Sequence, residues 1–169
     1  AEYLESVLTA EHLARIQKIN NTDVIIKIAN AISMCEPDDI FVSTGSEEDG
    51  RFIRELALEK GEEAPLAMSR HTIHFDLPEE QGRIIDRTYY IANEDEKISS
   101  LANRMDRMDA IAEVRDKMVR IMQGKTMIIG FYVRGPIGSP VSNPALEITS
   151  STYVSHSAEI LYRNAYHAF

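Results

Sequence analysis

The sequence predicts an α/β (α+β) fold, a mixed β-sheet flanked by helices, and three observations carry that prediction. Stretches with apolar residues every three or four positions alternate along the chain with short β-branched runs, so helices and strands interleave. Long connections and uneven spacing suit a mixed sheet better than a regular doubly wound one. The chain has 169 residues, 44% hydrophobic and 27% charged, which is enough apolar side chain to bury one core.

The opening stretch predicts two short helices. Thr9 can cap a segment in which Leu13, Ile16 and Ile19 recur every three positions, and Asn20-Asn21 breaks it. Thr22 can cap the next, where Ile25, Ile28, Ala29 and Ile32 share a face until Pro37 stops the helix. Ile40 to Ser43 is a short β-type run. Thr44 to Asp49 turns the chain into a third helix. Ser46 is its cap, Asp49 can complete a capping box, and Glu47, Glu48 and Asp49 suit the positive end of the dipole. Phe52, Ile53, Leu56 and Ala57 form the buried face of that helix, and Gly61 ends it.

A looser stretch runs from Glu62 to Arg70. Thr72 to Leu77 then alternates with period two, which places Ile73, Phe75 and Leu77 inward and Thr72, His74 and Asp76 outward on a strand. Pro78 with Glu79-Glu80 makes a turn. Arg87 to Ala92 is β-rich, and residues 94–106 are polar and read as a mobile connection. Met108, Ile111, Ala112, Arg115, Met118 and Met122 lie along one helical stripe, with Glu113 and Lys117 paired on the helix and Gly124 closing it. Thr126 to Val133 is a buried strand. Arg134 to Pro140 is a tight turn, and Ala145 to Tyr162 supplies one or two more strands.

Charge and cysteine content narrow the partners. Lys and Arg total 18 against 27 Asp and Glu, a net charge of −9, which disfavours nucleic acid and anionic membrane surfaces. No apolar run reaches the roughly 18 residues of a membrane span, and no charged-then-apolar leader opens the chain. The sole cysteine, Cys35, reads as a small buried thiol, and together with the seven Met residues it suits a reducing, cytoplasmic setting. The start at Ala1 reads as the boundary of a fragment.

The candidates for chemistry are few. His74 and Asp76 share a face of the expected strand, but His71 lies on the other, so a metal site or a small metallohydrolase is weakly supported. His156 and His167 stand alone. The Arg134–Pro140 turn loses two N–H donors to Pro136 and Pro140 and matches neither G-x-x-x-x-G-K-[ST] nor G-x-G-x-x-G, so it reads as structural. Arg83, between a turn and a β segment, is a natural fork for a carboxylate or phosphate.

Three stretches together resemble the N-terminal region of GTP-dependent phosphoenolpyruvate carboxykinases. They are Cys35-Glu36-Pro37 running through Phe41-Val42 into Gly45-Ser46-Glu47-Glu48; Arg83-Ile84-Ile85-Asp86-Arg87-Thr88; and Gly124-Lys125-Thr126-Met127 with a strand, Gly135-Pro136-Ile137-Gly138-Ser139-Pro140, Leu146-Glu147-Ile148-Thr149 and Tyr153-Val154. The resemblance implies that residues 1–169 are a single N-terminal, substrate-side domain and that the nucleotide- and metal-binding parts lie in C-terminal regions absent from this chain. It implies an enzyme converting oxaloacetate and GTP to phosphoenolpyruvate, GDP and CO2, with Mn2+ and Mg2+ accompanying GTP. None of these is expected on the fragment, which is expected to be inactive alone. Arg83 matches the arginine that reaches the substrate carboxylate. No catalytic residue and no metal ligand is assigned within the chain. Arg134 stands where the family has an uncharged residue, which suits an archaeal-type branch, and residues 62–78 do not align, which leaves His71, His74 and Asp76 without a role. The alternative reading is a stand-alone acidic α/β module that binds anions or partners.

Overall fold

The computed structural model describes residues 2–77 and 84–169. Three helices open the chain: α1 (Glu2–Val7), α2 (Ala10–Gln17) and α3 (Thr22–Cys35). The sequence gives no strong signal for α1, whose one buried residue is Leu4. Thr9 caps α2 as expected, accepting from His12 N at 3.3 Å. Asn21, one residue earlier than expected, caps α3 by accepting from Val24 N at 3.2 Å, and Thr22 is already helical. Glu36 closes α3 in the left-handed conformation, φ 48°, and Pro37 follows where no further helical N–H is available.

Strand β1 (Asp39–Val42) leads into α4 (Glu47–Glu59), whose N-cap Ser46 accepts from Asp49 N at 3.1 Å. The capping box closes on one side only. Asp49 turns its carboxylate back to Thr44, accepting from its N at 2.8 Å and its hydroxyl at 2.6 Å.

The expected strand over Thr72–Leu77 shrinks to β3 (Thr72–Ile73), paired antiparallel with β2 (Ala64–Pro65). Phe75 and Leu77 are 77% and 61% exposed rather than buried. His74 is drawn inward instead by a ring stack and a backbone acceptor, and the alternation is lost there. Strand β4 (Tyr90–Ala92) falls inside the expected β segment, and it pairs in parallel with β5 (Arg104–Asp106). The expected connection over 94–106 therefore ends in a strand, and Glu96 ties it by accepting from Asn93 N at 2.6 Å and from Arg107 at 3.0 Å. Helix α5 (Arg107–Met118) carries the Glu113–Lys117 pair but stops before Gly124. Its expected apolar stripe stays largely open: Met108 and Ile111 are exposed and Ala110 is the buried residue.

The central strand β6 (Thr126–Arg134) pairs with β1 in parallel and with β7 (Asn143–Thr149) antiparallel. Short β8 (Arg163–Asn164) joins it at Tyr132 and Val133. Of the one or two strands expected over Ala145 to Tyr162, β7 supplies one, but Thr152–Leu161 is helix α6, capped by Ser151. β-propensity in Thr152, Val154 and Ile160 yields there to packing against α4 and the sheet.

Alternation along β6 builds two cores. Met127, Ile129 and Phe131 face α1–α3, where they meet Ile16, Ile28, Ile32 and the fully buried Cys35. Ile128 faces the other way, onto Phe41 and Ile53. The sheet therefore lies between two helical layers, α1–α3 on one side and α4 with α6 on the other, which is the α/β arrangement the sequence predicts.

Candidate functional site

An open pocket of about 680 Å³ lies where the 60–76 stretch meets the start of α6, lined by Lys60, Glu62, His74, Asp76, Lys125 and Tyr153 among others. The His74 ring stacks on Tyr153 at 3.6 Å between centroids, and its Nδ1 stands 2.6 Å from the Glu62 carbonyl. Its Nε2 lies 3.4 Å from Asp76 Oδ1. His71 does not join them. It is exposed, with Nδ1 3.0 Å from the Ser69 carbonyl. Among the described residues no group of three or more His, Cys, Asp or Glu is placed to hold a metal ion. The metallohydrolase reading thus loses its third ligand.

Glu62 holds the start of α6. Its carboxylate accepts from the Ser151 hydroxyl at 2.7 Å and from Tyr153 N at 3.0 Å. Burial acts against the charge, but these donors and nearby Lys60 outweigh it and hold the carboxyl below its ordinary pKa. The positive end of α6, a natural anion site, is already filled by the protein's own carboxylate. Any anion entering the pocket would rely on Lys60 and Lys125. Glu62 was unreadable from sequence because its partners lie 89 and 91 residues away.

His156 is not alone, contrary to the sequence expectation: its Nδ1 is 2.7 Å from Glu63 Oε1. His167 packs edge-on against its neighbour Tyr166. Arg134 donates to the Tyr162 hydroxyl at 2.7 Å and lies over that ring at 4.8 Å. Within the following turn, Ser139 N donates to the Pro136 carbonyl and Ser142 N to the Ser139 carbonyl, in keeping with a structural role. Gly135 and Gly138 take positive φ, 84° and 78°, as the turn requires.

Arg83 lies outside the described residues. The segment that follows it is pinned. A 3-10 turn over Ile85–Arg87 is closed by Thr88 Oγ1 donating to the Ile84 carbonyl at 2.8 Å. Asn103 Nδ2 donates to the Ile85 and Thr88 carbonyls at 2.8 and 3.3 Å. Asn103 carried no sequence signal.

Comparison with known proteins gives a consistent result. The family model described as "Phosphoenolpyruvate carboxykinase N-terminal domain" matches residues 27–169. A protein of Pyrococcus furiosus named phosphoenolpyruvate carboxykinase [GTP] is 40% identical over 98% of the chain and 26% of its own length. Proteins of the same name from Saccharolobus solfataricus and Thermococcus sibiricus are 36% and 38% identical, each over 99% of the chain and 27% of its own length. The chain thus spans about a quarter of the length of the curated relatives it matches.

Proposed function

The chain belongs to the phosphoenolpyruvate carboxykinase N-terminal domain family, and from that premise we propose that it is the substrate-side part of a GTP-dependent phosphoenolpyruvate carboxykinase. The reaction is the conversion of oxaloacetate and GTP to phosphoenolpyruvate, GDP and CO2, in the service of gluconeogenesis. A carbon–carbon bond of oxaloacetate breaks to release CO2, and the enolate oxygen left behind takes the γ-phosphoryl group of GTP.

In this reading Arg83 supplies a bidentate hold on the substrate carboxylate, which keeps the enolate oxygen in register for transfer. Mn2+ and Mg2+ with GTP would neutralise charge on the phosphoryl and enolate oxygens when bound. The described residues do not fit such ions, offering no group of three ligating side chains. In this reading the chain's own part is to bind and orient substrate. Its partners are oxaloacetate or phosphoenolpyruvate directly and GTP through the remaining parts of the protein, in the cytoplasm, without nucleic acid or membrane. No helix among the described residues is long and apolar enough to cross a membrane.

The observation that supports this most is the likeness to these carboxykinases along 98% or more of the chain at 36–40% identity. The test is turnover. The full-length protein should form phosphoenolpyruvate from oxaloacetate and GTP, and residues 1–169 alone should not. A full-length protein that binds anions without turnover would favour the stand-alone binding module instead.

A further inference from the structure

Residues 84–121 leave far more apolar side chain open than they bury. Eleven of the twenty-four large apolar side chains exposed among the described residues fall between Ile84 and Ile121, and Leu101 and Ile85 are 95% and 78% exposed. The apolar residues buried within the same stretch are two alanines, Ala92 and Ala110. Single exposed apolar residues are ordinary on a protein surface, but a concentration of them on three small elements marks a face that something covers.

The geometry of those elements points the same way. The strand pair β4–β5 stands apart from the main sheet, and α5 packs on it. Parallel strands are ordinarily covered on both faces, and a two-stranded sheet is marginal by itself. Here both faces are open. On one, Tyr89, Ile91, Met105 and Val114 line a groove of about 570 Å³ between the strands and α5. On the other, Tyr90 meets Ile85 and Leu101 around a hollow of about 130 Å³. Arg87 and Lys117 also line the groove. Lys117 is paired with Glu113, whereas the exposed Arg87 has no ion-pair partner among the described residues.

We propose that the groove between β4–β5 and α5 seats an apolar segment from the remaining three quarters of the polypeptide, and that a carboxylate on that segment pairs with Arg87. On the carboxykinase reading, which this seat depends on, such a segment exists: the relatives match the chain over 98–99% of its length, which is 26–27% of theirs. A covalently joined segment reaches the groove at high effective concentration. A second copy is disfavoured, since two chains of net charge −9 repel. The covered stretch is nearly neutral by contrast, with seven Lys and Arg against eight Asp and Glu between residues 84 and 121, as suits a face that leaves water. The chain runs straight from Arg83 into Ile84, so the seat steadies the stretch that follows the arginine assigned to substrate.

The test is hydroxyl-radical footprinting of the full-length protein, read by mass spectrometry at a dilution where sedimentation shows a monomer. Each residue's oxidation rate is divided by its rate in the urea-unfolded chain. Tyr89, Ile91, Met105 and Val114 should react roughly tenfold more slowly than in the unfolded chain, as side chains in a packed interface core do. Slowing of no more than about twofold, the behaviour of an open face, would overturn the seat. Protection that appears only at concentrations where the protein self-associates would also overturn it, by making a second copy the occupant. Arg87→Glu should lower the protection of Ile91 and Val114 severalfold, and Arg87→Lys should keep it; an unchanged footprint in Arg87→Glu would overturn the carboxylate pairing. Turnover measured on the same sample separates this from the carboxykinase reading. Turnover with an open groove overturns the seat alone, and a protected groove without turnover supports the seat while the reading fails.

Discussion

Arg15 donates to Asp49, 34 residues along the chain, at 2.9 Å, and to the Val42 carbonyl at 2.7 Å, and in doing so fastens α2 to β1 and to the start of α4. Asp49 is 2% exposed and accepts from Thr44 as well. Burial opposes its charge, but Thr44 and Arg15 hold its carboxyl below the ordinary value. Its share of stability is therefore full above the unfolded carboxyl range, near 3.9, and is lost as pH falls through the lower folded value. Asp49→Asn should cost about 1.5–3 kcal/mol in chemical denaturation, because it removes a charged acceptor from Thr44 and from Arg15, which keeps Glu11 and the Val42 carbonyl. Glu147 acts with the opposite sign. Its folded value of about 7 means that its contribution is present in acid and fades as pH rises through neutrality. The spacing of Ser46 and Asp49 was legible in the sequence; the partner Arg15 was not, since nothing local marks a contact across 34 residues.

Elements governed by local chemistry were the readable ones. Thr9 and Ser46 cap the helices the sequence assigns to them, and Gly61 follows α4 with φ 71°. Ser46→Ala should lower stability by about 1 kcal/mol, seen as a shift of the denaturation midpoint. Elements decided by tertiary contacts were misread. Thr72–Leu77 has the alternation of a strand, yet the stack of His74 on Tyr153 takes His74 out of that pattern. Thr152–Leu161 has β-rich composition, yet Ser151 and Glu62 cap it as a helix. In β6 the apolar run gives no hint that Gly130 is a space for the Tyr132 ring, 2.5 Å from where a Cβ would be. Gly130→Ala should cost about 1–3 kcal/mol by overpacking, with the thermal midpoint as readout.

At the scale of the molecule, two helical layers around one mixed sheet form a scaffold, and three of the stretches that carry the family resemblance sit where its elements join. The Gly135–Pro140 turn follows β6, the Gly45–Glu48 turn joins β1 to α4, and Ile85–Arg87 continues from Arg83 into β4. The family was readable because those turns are short and chemically constrained. The pocket around Glu62 was not, because its residues come together only across the fold. The proposed hold of Arg83 on the substrate carboxylate is read from steady-state kinetics of the full-length protein carrying Arg83→Ala. A fall of roughly 100-fold in kcat/KM for oxaloacetate, carried mainly by KM and with KM for GTP little changed, is the predicted result. An unchanged kcat/KM for oxaloacetate would contradict it.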